Sequence, residues 1–137
     1  MCSSDLVHAE PDLPHVLGDR HGLLQVLLNL VRNSVRALGD ASIRRIEIDA
    51  RRDGATVLVR VRDSGPGVAH PERLFQPFQH GADAVGLGLF LSRAIVRAAE
   101  GELYLEPTTS GCTMCLRLKI CEAPDAAFDP SKLEIAE

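Results

Sequence analysis

No apolar run in this chain approaches the ~20 residues that a membrane span needs. The longest, Leu23 to Leu30, is interrupted by Gln25 and Asn29. The first ten residues lack the apolar core of a secretion signal, so nothing marks the chain for export or for a membrane. Positive charge is not in excess either: 15 Lys and Arg against 19 Asp and Glu leave a net charge of −4. That gives no general reason to expect a nucleic-acid partner. Thirteen of the 15 cations are Arg and six of these fall between Arg44 and Arg62. Glu47, Asp49 and Asp53 are interleaved with them, which is the pattern of a solvated, mixed-charge sheet face. The four cysteines are too few for a disulfide framework in a chain of 137 residues. Cys112 and Cys115 have a zinc-like spacing. On a strand over 113–120, however, Met114, Leu116, Leu118 and Ile120 alternate onto one face, so Cys112 and Cys115 point to opposite faces. No second Cys or His pair completes a tetrahedral site. The expectation is a reducing, cytoplasmic compartment.

What remains is an ordinary globular composition, 45% hydrophobic and 25% charged in 14.8 kDa, sized for one domain. After a loose start with Pro11 and Pro14, residues 15–18 read as a short strand and Asp19 as the N-cap of a helix. Leu24, Leu27, Leu28, Val31, Val35 and Leu38 recur at helical spacing and Gly39 stops them, which predicts a helix from Arg20 to Leu38. Residues 43–50 and 56–61 are rich in β-branched side chains and flank Asp53-Gly54, a strong hairpin signal. A Gly- and Pro-rich loop runs from Asp63 to Pro71, and residues 72–75 form a short helical piece. A second helix carries Leu87, Phe90, Leu91, Ala94, Ile95 and Ala98 and is closed by Gly101. Residues 103–105 and 113–120 form a last hairpin with Gly111 in its turn, and the tail after Cys121 carries five acids and one Lys. The layout is α+β, a two-layer sandwich of helices on one face of a mixed or antiparallel sheet. The domain is expected over 13–121, between a lead-in at 1–12 and an acidic tail or linker at 122–137.

Three clusters bear on chemistry. On the first helix, Gln25, Asn29, Arg32, Asn33 and Arg36 fall within a quadrant roughly opposite the apolar stripe. A polar stripe there need mean only solvent. Two Asn at i, i+4 are nevertheless poor helix formers, carry no solubilising charge and aim amide groups at one spot. Asp63-Ser64-Gly65-Pro66-Gly67 follows a strand, where a plain tight turn would use the same residues. It can also hold a carboxylate able to accept from an exocyclic amine, with glycines that let backbone close round a planar ligand. Gly86-Leu87-Gly88-Leu89 opens a helix, where unpaired N–H groups and the helix dipole favour phosphate. Glycines that merely ease the chain into the helix are the alternative.

In order, the segments Gln25-Val-Leu-Leu-Asn29-Leu-Val-Arg-Asn33-Ser, Asp63-Ser-Gly65-Pro-Gly67-Val68, Leu74-Phe75-Gln-Pro-Phe78 and Gly86-Leu87-Gly88-Leu89 resemble the N, G1, F and G2 boxes of the histidine kinase ATP-binding domain. Gly111-Cys-Thr113 resembles the last Gly-Thr box, and the likeness runs from about Leu13 to Cys121. The resemblance implies the Bergerat fold, with ATP between helix and sheet under a lid. It makes Asn33 the Mg²⁺ ligand, Asn29 its helper and Asp63 the residue that selects the adenine amino group. Gly65 and Gly67 would give the base room, the backbone amides of Gly86 and Gly88 would meet the phosphates, and Val68, Leu87 and Leu89 would belong to the same nucleotide site. Arg36 stands where a basic residue faces phosphate, Phe75 and Phe78 would anchor the lid, and Thr113 would complete the nucleotide site. Ala84 replaces a usual glycine, and the lid from Gln79 to Val85 is short and lacks a lysine, a place His80 could fill.

Related ATPases carry Glu where this chain has Asn29, because hydrolysis needs a base to deprotonate water. An amide accepts no proton near neutral pH, which disfavours hydrolysis and favours transfer to an external nucleophile. The resemblance supplies that nucleophile as a histidine on a separate helical dimerisation domain, with a response regulator as the indirect partner. None of His8, His15, His21, His70 and His80 sits in such an acceptor motif. The expected function is therefore the Mg²⁺-ATP-binding catalytic part of a sensor histidine kinase whose parent protein could be membrane-anchored. The alternatives are a non-catalytic nucleotide-binding module and an anti-sigma-type regulatory module of the same fold.

Overall fold

The computed structural model describes residues 4–39, 45–69, 71–76, 84–108, 110–121 and 127–128. Its first element is a strand, β1 (Ser4–Ala9), followed by the two-residue β2 (Val16–Leu17) and helix α1 (Arg20–Leu38). The α1 boundaries follow the capping chemistry: the Asp19 carboxylate accepts the Gly22 N–H at 2.8 Å, and Gly39 donates its N–H to the Val35 carbonyl. Strands β3 (Arg45–Asp53) and β4 (Thr56–Asp63) form the expected hairpin, turned at Gly54 with φ 61°. A single 3-10 turn (Pro71–Arg73) stands where a short helical piece was expected. Then come α2 (Ala84–Ala98), β5 (Glu102–Glu106), β6 (Cys112–Lys119) and β7 (Ala127–Phe128).

The main sheet has the order β1-β3-β4-β6-β5. β1 runs parallel to β3 and the other neighbours are antiparallel, so the sheet is mixed. Strand alternation sorts it into two faces. Ile46, Ile48 and Ala50 of β3, Val57, Val59 and Val61 of β4, and Met114, Leu116 and Leu118 of β6 are buried in one core with Leu23, Val26, Leu27 and Leu30 of α1 and Leu89 and Val96 of α2. The outward face carries the mixed charge read from the sequence, with Arg60 paired to Glu106 at 3.0 Å and Arg62 near Glu47 at 4.0 Å. At the other end of α2, Arg93 and Arg97 clamp Glu102 of β5 at 3.2 Å each. Burial raises the Glu102 carboxyl, but the hydrogen bonds from Arg97, the Leu103 N–H and Arg93 outweigh it and hold the group below its ordinary value.

Four expectations need amendment. β1 lies within the segment read as a lead-in; its pairing with β3 runs from Ser4↔Arg45 to Ala9↔Ala50 and continues as Glu10 N–H to the Ala50 carbonyl at 3.0 Å. Residues 127 and 128, placed in the tail, pair with β2. Helix α2 starts at Ala84 and not at the glycines. Finally, both helices bury a face rotated from the one the spacing suggests. α1 buries Leu23, Val26, Leu27, Leu30, Ser34 and Leu38, while Leu28 and Val35 are 38% and 47% exposed. α2 likewise exposes Phe90 and Leu91 and buries Leu89, Ser92 and Val96.

Candidate functional site

The site is assembled along one flank of α1. At 1.5 Å rise and 100° per residue, Asn29, Asn33 and Ala37 follow one another a turn apart on nearly one line. This flank is partly buried, which corrects the picture of a polar stripe opposite the core: Gln25, Arg32 and Arg36 are exposed, whereas Asn29 and Asn33 are half-buried, Asn29 against α2. At one end, the Asn29 Nδ2 donates to Ser92 Oγ of α2 at 3.0 Å. A Cβ on Gly88 would stand 2.7 Å from that Nδ2 and 2.8 Å from Oδ1, so α2 can lie this close only because position 88 has no side chain. At the other end, a Cβ on Gly65 would stand 3.5 Å from the Ala37 carbonyl oxygen and 3.0 Å from an Asp63 carboxylate oxygen. The turn after β4 is thus tucked against the last turns of α1.

Between these contacts lies Asn33, whose Nδ2 is buried and has no hydrogen-bond partner among the described residues. A buried amide left unpaired costs on the order of 1–3 kcal/mol, so such a group calls for an explanation. A bound ligand that uses the amide supplies one.

Asp63 ends β4 with 5% of its surface exposed. Its Oδ1 accepts the Gly65 N–H at 2.9 Å, which fixes the carboxylate in an Asx-type turn and leaves its other oxygen to accept elsewhere. Two glycines hold the neighbouring backbone together. Gly67 has φ 87°, with the Gly111 carbonyl oxygen 3.1 Å from where its Cβ would be. Gly111 has φ 69°, and a Cβ there would run into the Asp63 carbonyl oxygen. Val68 is half-buried just beyond Gly67.

The sheet register corrects one assignment. Asp63 pairs with Cys112, and Thr113 pairs with Arg62. Cys112 therefore shares the helix-covered face with Asp63, while Thr113 is turned to the opposite face. There, 4% exposed, it borders a 380 Å³ cavity whose lining includes Arg45, Glu47, Arg62, Asp63, Ser64 and Glu106. Cys112 is the site residue that the sequence reading passed over. The signal was available, since Cys112 has the same parity as Met114, Leu116 and Leu118. Burial, and then the charge of Asp63, push its thiol up to about 11.

The remaining residues divide. Gly86 lies in the first turn of α2, where N–H groups have no partner within the helix. Gly88, two residues on, has its acceptor within the helix and serves the contact with Asn29 instead. The Leu89 side chain is in the core, so only its backbone is available to a ligand. Phe75 is half-buried against the core with the Arg93 guanidinium 4.2 Å from its ring centroid. Phe78, His80 and the lid residues 79–83 lie outside the described residues, as does the side chain of Leu87. Among the described residues no group of three or more His, Cys, Asp or Glu is placed to hold a metal. The donor set nevertheless fits Mg²⁺, which takes oxygen donors, keeps several waters and commonly leans on substrate phosphates more than on protein side chains.

The sequence and the fold that carries these residues have known counterparts. The family described as histidine kinase-, DNA gyrase B-, and HSP90-like ATPase matches residues 18–122. The chain belongs to that family. A relative in it is the C4-dicarboxylate transport sensor protein DctB of Rhizobium meliloti (strain 1021), 38% identical over 112 residues that make up 80% of this chain and 18% of DctB. The sensor histidine kinase ZraS of Escherichia coli (strain K12) is 37% identical over 100 residues, 71% of this chain and 21% of ZraS. The chain thus spans about a fifth of the length of these relatives. Among solved structures, the catalytic domain of histidine kinase ThkA superposes with a TM-score of 0.74 at 27% identity, covering 86% of this chain and 80% of that domain. Within the ATPase family the chain sits with the catalytic domains of sensor histidine kinases. Two helices on a mixed five-stranded sheet are the architecture they share. No helix among the described residues is long and apolar enough to cross a membrane.

Proposed function

We propose that this chain binds Mg²⁺-ATP between the Asn29–Asn33 flank of α1 and the Asp63–Gly67 turn, and passes the γ-phosphoryl group to a histidine on a separate helical dimerisation domain. A response regulator is the partner one step further on. The observation that carries this reading is the buried, unpartnered Asn33 amide, held between two glycine-dependent contacts. In this reading Asn33 would hold the metal through its amide oxygen while its unpartnered Nδ2 donates to a phosphate oxygen, and Asn29 supports it. Asp63, already anchored through one oxygen by Gly65 N–H, accepts from the adenine amino group with the other. Gly65 and Gly67 keep the floor under the base free of side chains, with Val68 and Cys112 beside it. The Gly86 N–H and the exposed Arg36 are the groups available to phosphate. Bound Mg²⁺ would supply neutralisation of the phosphate charge.

Asn29 decides between transfer and hydrolysis. It offers no proton acceptor near neutral pH, and its nitrogen is engaged by Ser92. The chain's own residues therefore bind, orient and neutralise, and the acceptor has to bring its own base. Incubating the chain with γ-labelled ATP and the parent protein's upstream helical region tests this. Acid-labile label on a histidine of that region is the expected result. Label only as free phosphate would favour hydrolysis, and binding without any release or transfer would favour a regulatory module.

A further inference from the structure

We propose that Ser92 is a positioning residue for the asparagine pair: it holds the Asn29 amide by its nitrogen and so leaves the amide oxygen as the end available to a metal-bound ligand. This rests on the Mg²⁺-ATP reading above. An asparagine amide has two chemically opposite ends, and only the oxygen can serve a hard cation or its water shell. A side chain free to turn over would present the NH₂ group part of the time. In this fold it is not free. Ser92 Oγ accepts from Asn29 Nδ2 at 3.0 Å, and among the described residues Asn29 Oδ1 has no protein donor. Ser92 is itself 4% exposed, so water has little access to replace it as acceptor.

Gly88 completes the seat. It precedes Ser92 by one turn of α2 and so shares its face. With no side chain there, the amide lies against bare backbone; a Cβ would stand 2.7 and 2.8 Å from the two amide heavy atoms. One residue thus acts by its acceptor and the other by its lack of bulk, and together they hold the Asn29 amide with its NH₂ end on Ser92. Ser92 touches no part of the expected ligand and acts through Asn29.

A double-mutant cycle read on metal coupling tests this. ATP affinity is measured by calorimetry with Mg²⁺ and with EDTA for the wild type, Ser92→Ala, Ser92→Thr, Asn29→Ala and the Ser92→Ala/Asn29→Ala pair. Ser92→Ala is expected to shrink the Mg²⁺-dependent gain in affinity about threefold or more, in line with the net worth of one hydrogen bond, while metal-free affinity stays within about twofold. Ser92→Thr keeps the oxygen and should retain most of the gain. In the Asn29→Ala background, Ser92→Ala should change the gain no further. The proposal is overturned if Ser92→Ala lowers both affinities together, leaves the gain intact, or acts equally strongly without Asn29. A wild type that binds ATP with no Mg²⁺-dependent gain would instead overturn the reading of the site, and this inference with it.

Discussion

Asn29 and Asn33 are the same residue type on the same flank of α1, one turn apart, yet their surroundings differ. The Asn29 amide is seated: its nitrogen meets Ser92 and its plane lies against Gly88. Asn33 has a buried nitrogen that meets nothing among the described residues. The first arrangement joins two helices and contributes to stability. The second costs stability in the free protein and is recovered only if a ligand completes it. Side by side, they separate what builds the site from what the site is for.

The largest expected effect lies on the ligand side. Asp63→Asn keeps an oxygen to accept the Gly65 N–H, so the turn should survive, but the charge is lost and an amide donor can face the base. Mg²⁺-ATP affinity should fall at least tenfold, about 1.4 kcal/mol, by calorimetric titration; an unchanged affinity would remove Asp63 from the site. Next comes the stability contrast within the asparagine pair. Asn29→Ala should lower the unfolding free energy by about 1 kcal/mol, because Ser92 is left buried without its donor. Asn33→Ala should leave it unchanged or raise it by up to about 1 kcal/mol, since it removes an unpaired buried group and improves helix propensity. Urea denaturation of both variants measures the contrast, and equal losses would erase it.

Gly88→Ala sets two effects of similar size against each other. Alanine gains about 1 kcal/mol of helix propensity, while its methyl displaces the Asn29 amide and breaks a bond worth about as much. The net change should be small in the wild type and stabilising by about 1 kcal/mol in the Asn29→Ala background. A large loss in both backgrounds would mean that the methyl strikes something other than Asn29. The smallest effect concerns pH. With the Cys112 thiol raised from 9.0 to about 11 in the fold, the folded state holds its proton longer than the unfolded one. Stability is therefore full below about pH 9 and declines as pH rises towards about 11. Cys115 is also raised by burial, so the readout is the difference between wild type and Cys112→Ser, which should decline less steeply over that window.

The parts of the fold that were legible carry local chemistry. Asp19 and Gly39 delimit α1, Asp53-Gly54 turns the β3–β4 hairpin, and the order of the Asn, Asp and Gly segments points to the family. The rotation of the helices was not legible, for a physical reason. α1 carries Leu23, Leu24, Val26, Leu27, Leu28, Leu30, Val31 and Val35, an apolar arc wider than the sheet can cover, so periodicity alone does not choose its centre. The sheet and α2 choose it, burying Ser34 and leaving Val35 out. Strand β1 depends on a partner some 40 residues away, and β7 on one more than 100 away; neither segment announces that pairing. The exchange of Thr113 for Cys112 has a different origin: it follows from strand parity, which was readable, while the resemblance of Gly111-Cys-Thr113 to the Gly-Thr box pointed to Thr113.

In the proposed reading, the unpartnered Asn33 amide nitrogen is kept for a phosphate oxygen of a metal-bound nucleotide, with the amide oxygen turned to the metal. Titrating wild type and Asn33→Ala with ATP, each with and without Mg²⁺, tests it most directly. Wild type should bind more tightly with Mg²⁺, and Asn33→Ala should lose at least tenfold in affinity with Mg²⁺ present, about 1.4 kcal/mol, while remaining folded. Equal Mg²⁺-ATP affinity in the two proteins, or no binding by wild type, would contradict it.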